Sequence, residues 1–333
     1  LGLLALVAAV LAFVPGETPG VLPAPPVPPA ATPAEIAESV AAAESYVEGI
    51  REGLAKEIVW AGAEGARTPL ALVYVHGFSA SKTELRPVPD RLAEALGANL
   101  FYTRLAGHGR TGEALGRARA RDWMLDMAEA LAVGKTIGER VIVIGTSMGG
   151  ALAALAALEP EGGDGVAGYV LVSPAFGLQA AGAHLLNLPF ARTLAPLALG
   201  GTRRWTPRSP AHAEGWTHAY PTEALVPMAA VVEAAFLSDH ARPGAPALVL
   251  LSDRDAVVDP ERTREVARRW GSANGATAEI RRLEPGPGDD PDAHVLAGDA
   301  LSPGLTGEMT ETILDWIDRR GLADLGLARQ GVS

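Results

Sequence analysis

The sequence predicts an α/β protein: a doubly wound, mostly parallel sheet that carries a mainly helical insertion. Three observations carry this reading. Short apolar runs at 70–75, 141–144, 169–172 and 247–251, the second wholly β-branched, have the length and composition of buried strands. Helix-forming stretches alternate with them, which is the pattern of parallel strands joined by crossover helices. One segment, 175–242, breaks the alternation. It lies between two core strands and holds apolar helical runs, many prolines and no β pattern.

Composition bounds the answer. The chain has 333 residues, 48% of them apolar, enough for one large α/β domain with an insertion. Aromatics are only 5%, so Ala, Leu and Val must fill the core. The net charge of −11 argues against nucleic acid, and against an anionic membrane surface, as an electrostatic partner. There is no cysteine, which excludes disulfides, zinc–thiolate sites and thiol nucleophiles.

In chain order, residues 1–14 are wholly apolar and stop at Pro15. They are shorter than the about 20 residues of a spanning helix and fit the apolar region of a signal peptide or an N-terminal anchor. The expected location is therefore membrane-anchored or exported, with membrane association through 1–14. Residues 15–33 include Pro15, Pro19, Pro23, Pro25, Pro26, Pro28, Pro29 and Pro33 and read as a solvated, semi-rigid linker.

The core's first part spans 34–174. It opens at Thr32-Pro33-Ala34-Glu35, a capping box with proline at the first helical position. An apolar stripe follows at Ile36, Val40, Ala43, Val47, Ile50 and Leu54. Strands are expected at 58–60, 70–75, 99–103, 141–144 and 169–172, with helices at 83–96 and 122–137. The insertion, 175–242, reads as a lid over the carboxyl edge of the sheet. The core's second part, 243–320, holds strands at 247–251 and 277–283 and a closing helix at 306–319, with Ile313, Trp316 and Ile317 on one face. Residues 321–333 form a tail.

The chemistry centres on Gly145-Thr146-Ser147-Met148-Gly149, which fits G-x-S-x-G. Four β-branched residues precede it and an Ala/Leu helix follows, the strand–turn–helix setting that the motif needs. Gly145 and Gly149 let strand and helix approach, and Ser147 sits at the tip. The helix N-terminus beside it favours negative charge.

A serine hydroxyl needs a base, a group that orients the base, and donors for an oxyanion. Such a turn takes its acid and then its base from later in the chain. Of seven histidines, His294 lies latest, in a polar loop past the last core strand. His184, His212, His218 and His240 fall in the insertion and read as lid surface. The acid belongs after the strand 247–251, in Ser252-Asp253-Arg254-Asp255-Ala256-Val257-Val258-Asp259-Pro260. Asp259 reads as a helix cap. Asp253 or Asp255 is then the acid. Asp255 is preferred, because Val257-Val258 can anchor the loop behind it. The oxyanion donors expected are Met148 N–H and, from His76-Gly77-Phe78-Ser79, Phe78 N–H. Gly77 permits the close approach, and His76 reads as a brace of that loop. Gly107-His108-Gly109 fits either a plain turn or a pocket-shaping loop.

Together, His76-Gly77-Phe78, Gly145-Thr146-Ser147-Met148-Gly149, Asp255 with its Val-Val, and His294 resemble the α/β-hydrolase family over about 58–320. The sequence is most similar to serine carboxylesterases and lipases, monoacylglycerol-lipase-like enzymes included, with a helical cap. A serine nucleophile sets it apart from the epoxide hydrolases and dehalogenases, which use Asp there. The absence of a Gly-Gly-Gly run after His76 sets it apart from the hormone-sensitive-lipase branch. The resemblance implies ester hydrolysis of a small molecule through an acyl-enzyme, with no metal or cofactor. Thioesterase, acyltransferase and amidase or peptidase chemistry share the triad, and a binding protein can keep the fold without turnover. A patatin-like Ser–Asp lipase would not need His294.

Overall fold

The computed structural model describes residues 16–27 and 31–323. Residues 1–14, read above as leader or anchor, lie outside the described residues. Among those described, no helix is long and apolar enough to cross a membrane.

The sheet contains β1 (Glu57–Val59), β2 (Thr68–Val75), β3 (Asn99–Tyr102), β4 (Gly138–Thr146), β5 (Val166–Val172), β8 (Ala247–Leu251) and β9 (Ala278–Arg282). Their spatial order is β1-β3-β2-β4-β5-β8-β9. The edge strand β1 is antiparallel to β3, and every other pairing is parallel. The four strands β2, β4, β5 and β8 are covered on both faces, so their runs are apolar on both. The pleat still sorts them. Val73, Val143, Leu171 and Val249 join one core; Leu72, Ile142, Val170 and Leu248 join the other.

Helices α1 (Pro33–Ser45), α4 (Ala120–Ile137) and α5 (Met148–Ala156) pack into the first core. Helices α2 (Val88–Leu96) and α11 (Thr306–Arg319) pack into the second, the latter through Met309, Ile313, Trp316 and Ile317. Short α3 (Gly112–Arg117) and α6 (Pro160–Gly163) occupy connections, and α10 (Pro260–Arg269) lies between β8 and β9.

Three expectations are corrected. The stripe running from Ile36 to Leu54 is helical only to Ser45; Gly49 and Gly53, both at positive φ, turn the chain beyond it. The helix expected at 83–96 is broken into a 3-10 turn, Lys82–Glu84, and α2. Pro87 lacks an N–H and disfavours helical backbone at Arg86. The Pro-rich segment is not wholly solvated: Leu22 is buried in the first core. Glu17 accepts from Ala120 N at the start of α4 and pairs with Arg119.

The insertion is mainly helical, as expected, but it also holds a small antiparallel pair, β6 (Thr202–Arg204) with β7 (Ala219–Pro221). Strands of three residues are too short to show a period. Its helices are α7 (Ala191–Leu199), α8 (Pro210–Gly215) and α9 (Leu225–Leu237). It divides in two. Met228, Val231, Val232 and Ala235 of α9 belong to the first core, whereas α7 buries only Ala191 and Ala195.

Candidate active site

The carboxyl ends of β2, β4, β8 and β9 lie along one edge, and each leads into a loop of the site. Ser147 follows β4 at φ 52°, ψ −117°, a strained conformation that its neighbours enforce. Its N–H donates to Val172 O at 2.9 Å, and its carbonyl accepts from Ala175 N at 3.0 Å and Ala151 N at 3.1 Å. Close packing demands the flanking glycines. A Cβ on Gly149 would lie 2.1 Å from Val75 O, and one on Gly145 would lie 2.6 Å from Gly149 O.

His294 Nε2 lies 3.0 Å from Ser147 Oγ, and its Nδ1 lies 2.9 Å from Asp255 Oδ2. Asp255 Oδ1 accepts from Val257 N at 2.8 Å and Val258 N at 2.9 Å, the anchoring expected of the Val-Val pair. All three residues are buried. Burial pushes the His294 imidazole down, but the carboxylates of Asp255, chiefly, and of Glu84 and Asp290 together leave the net shift upward. Asp253 is elsewhere: it is exposed, and Arg282 and Arg264 hold its carboxyl below the usual range. Asp259 caps α10, accepting from Glu261 N and Arg262 N.

The loop after β2 carries Gly77 and Phe78. The point that a Gly77 Cβ would take is 3.2 Å from Ser147 Cβ, so only glycine passes here. Met148 supplies the first N–H of α5, which no carbonyl of its own helix can accept. Phe78, Met148, Ser147 and His294 share one cavity. His76 does brace the loop: its Nδ1 meets Gly77 O at 2.9 Å and its Nε2 accepts from Leu105 N at 3.1 Å. Burial lowers its pKa to about 4, so it stays neutral. His108 is fully buried between the rings of His76, Phe78 and Trp123, so the Gly107–Gly109 turn packs behind Phe78 rather than lining the cavity.

Two histidines depart from the lid-surface expectation. His212 is buried between Trp205 and Trp216, and His240 stacks on Trp270 beneath α9. The rings on His212 lie four and seven residues away, whereas Trp270, on which His240 stacks, lies 30 residues on.

Three charged residues escaped the sequence reading. Asp290 Oδ2 accepts from His294 N at 3.2 Å and Val295 N at 3.0 Å. Arg208 of the insertion pairs with Asp290 and Asp292. A cation from the lid thus grips the loop that carries His294. Glu84, buried in the cavity wall, accepts from Gly77 N at 2.7 Å. A polar Pro/Gly/Asp loop signals Asp290 weakly; nothing local signals the other two.

The cavity over Ser147 has a volume of about 1050 Å³. The insertion lines it with Leu185, Leu186, Leu188, Leu194 and Leu199, while Phe190 and Leu197 lie outside it. The sequence pattern of the family described as serine aminopeptidase, S33 (Hydrolase_4), matches residues 67–283. The chain belongs to this family.

A thermostable monoacylglycerol lipase of Bacillus sp. (strain H-257) is 33% identical over 97 residues. That match spans 28% of this chain and 38% of the relative's length. Among solved structures, one from work on the metagenome-derived lipolytic enzymes LipS and LipT superposes with TM-score 0.64 at 21% identity, covering 81% of this chain and 99% of its own. A soluble variant of monoglyceride lipase from Saccharomyces cerevisiae, solved with a substrate analogue, gives TM-score 0.58 at 15% identity, covering 80% and 91%. These likenesses establish the α/β-hydrolase fold for this S33 member.

Proposed function

We propose that the protein is a carboxylic ester hydrolase acting on small esters with lipophilic acyl chains. The observation that carries this reading is the hydrogen-bonded series Ser147–His294–Asp255, opening into a leucine-lined cavity. In the reaction, Ser147 Oγ attacks the ester carbonyl carbon while His294 Nε2 takes its proton. Phe78 and Met148 N–H groups receive the oxyanion. The protonated His294 gives its proton to the departing alkoxide, leaving an acyl-serine. Water then attacks that ester, again with His294 as base, and frees acid and Ser147. Asp255 keeps Nδ1 protonated and stabilises the imidazolium.

Peptide hydrolysis, which the family description raises, is the less favoured reading. An aminopeptidase holds the substrate's charged α-amino group, for which a free carboxylate is the natural partner. Asp290 and Asp292 in the cavity wall are paired with Arg208, and Glu84 accepts from Gly77 and Tyr74. The monoacylglycerol lipase relative adds support for a lipid ester. Residues 1–14 would bring such an enzyme to a membrane or outside the cytoplasm.

The test is a p-nitrophenyl ester series of increasing acyl length, run with a fluorophosphonate probe. Turnover should rise with chain length until the cavity fills, and the probe should label Ser147 alone. Labelling elsewhere, or aminopeptidase turnover that exceeds ester turnover, overturns the reading.

A further inference from the structure

One buried ionisable group beside Ser147 takes no part in the reaction above. Glu84 ends the 3-10 turn after the Phe78 loop, is 3% exposed, and lines the cavity. Its Oε2 accepts two hydrogen bonds, from Gly77 N at 2.7 Å and from Tyr74 OH at 2.9 Å. The Tyr74 hydroxyl is also 3.2 Å from Thr146 Oγ1. Thr146 immediately precedes Ser147.

A single chain of hydrogen bonds therefore runs from the loop that presents Phe78 N–H, through a carboxyl and a phenol, to the turn that presents Ser147 and Met148 N–H. Glu84 Oε1 and Ser147 Cβ lie 2.7 Å and 3.2 Å from the point that a Gly77 Cβ would occupy, so the carboxyl stands directly behind the site. A buried carboxyl is costly unless it is well bonded. A loop that needed only filling would be served by an apolar side chain. Burial raises its pKa to about 7.

We propose that Glu84 is a positioning residue for the ester hydrolysis described above: it holds the His76–Gly77 peptide, so that the next peptide presents Phe78 N–H to the oxyanion, and ties that loop to the Ser147 turn. The inference rests on that reading of the site. Oxyanion donors act only within a narrow range of position, so loosening the strut raises the barrier more than it weakens substrate binding.

Charge gives a second readout. The groups facing Glu84 are Tyr74 from β2 and His294 from the loop after β9. His294 in turn faces Asp255, Glu84 and Asp290, and each of these negative charges raises its pKa. Glutamine at position 84 keeps an acceptor for Gly77 N–H and Tyr74 OH but removes the charge. The His294 pKa should then fall, and the acidic limb of the activity profile should move to lower pH. A strut without electrical contact to the site would leave that limb where it is.

The experiment measures kcat, KM and the pH profile of the full chain, Glu84→Gln, Glu84→Ala and Ser147→Ala on a short p-nitrophenyl ester. Glu84→Ala should lose roughly 10- to 100-fold in kcat with KM within about twofold. Glu84→Gln should recover much of that loss and show the lowered acidic limb. The proposal is overturned if Glu84→Ala keeps kcat within about twofold of the parent, or if Glu84→Gln leaves the limb unmoved. Should Glu84→Ala fail to fold, the limb of Glu84→Gln decides alone. An inactive Ser147→Ala beside unaffected Glu84 variants removes only this inference. Full turnover by Ser147→Ala removes the ester-hydrolase reading as well.

Discussion

The strands under the site and the outer part of the insertion are both rich in aliphatic residues, and they use them in opposite ways. Leu72, Leu171, Leu248 and Leu250 in the sheet are fully buried. Leu185, Leu188 and Leu194 in the insertion remain 53–55% exposed. The difference lies in what surrounds them. Each central strand has helices on both faces, so every side chain meets a packed layer. Helix α7 buries Ala191 and Ala195 against its neighbours, and its Leu194 and Leu199 look into the cavity. Apolar content thus makes a core where two layers close on it, and makes a binding wall where one layer stands off. The site follows the same division. In the proposed reaction the sheet edge supplies the reacting atoms, held by backbone hydrogen bonds, and the insertion supplies surface.

The sharpest test of this division is at the sheet edge. Ser147→Ala should lower turnover by on the order of 10⁶ and leave thermal unfolding nearly unchanged, because the Val172 and Ala175 bonds are to Ser147 backbone. Steady-state kinetics and a melting curve check both parts. Substantial activity in this variant would mean that the reacting group lies elsewhere.

Next in size is the comparison of two aspartates on one loop. Asp255→Asn keeps the shape but favours the wrong His294 tautomer, and should cost about 10⁴ in kcat. The Asp253 carboxylate pairs with Arg264 and Arg282 away from the site, so Asp253→Asn should change kcat by less than about threefold. The opposite pattern would move the acid to Asp253.

Arg208 bridges the two regions through Asp290, whose carboxylate holds the backbone of His294 and Val295. Arg208→Ala should lower kcat roughly tenfold, with less effect for Arg208→Lys. Equal kcat in the parent and both variants would mean that the His294 loop stands without the insertion.

The smallest effect belongs to the wall itself. Leu194→Ala should lower the kcat/KM ratio of long-chain to acetyl esters by about fourfold for each substrate methylene left uncovered, from about 0.8 kcal/mol apiece. A ratio that does not change would show that the acyl chain lies along another surface.

Much of this division was legible in the sequence. The runs at 70–75 and 141–144 read as strands because a buried strand needs only local composition. The capping box at Thr32 and Glu35 forms as read, because its bonds span three residues. Ser147 was legible because its motif, strand and helix are contiguous. His294 and Asp255 were legible by their order after Ser147, and the fold brings all three within hydrogen-bond reach.

What the sequence alone determined is therefore the set of elements whose stabilising contacts lie close along the chain: the strands, the Ser147 turn, and the candidate residues at strand ends. Only the tertiary structure decided the rest. It put Glu84, read as part of a continuous helix, behind Gly77. It paired Arg208 with Asp290 across 82 positions of the chain, buried His212 and His240, and turned Leu194 and Leu199 of α7 to a cavity. The physical reason is the same for each. A charge, an imidazole or a leucine is settled by the layer that comes to face it, and no local periodicity announces that layer, whether it comes from nearby, as Gly77 does for Glu84, or from 82 residues away, as Asp290 does for Arg208.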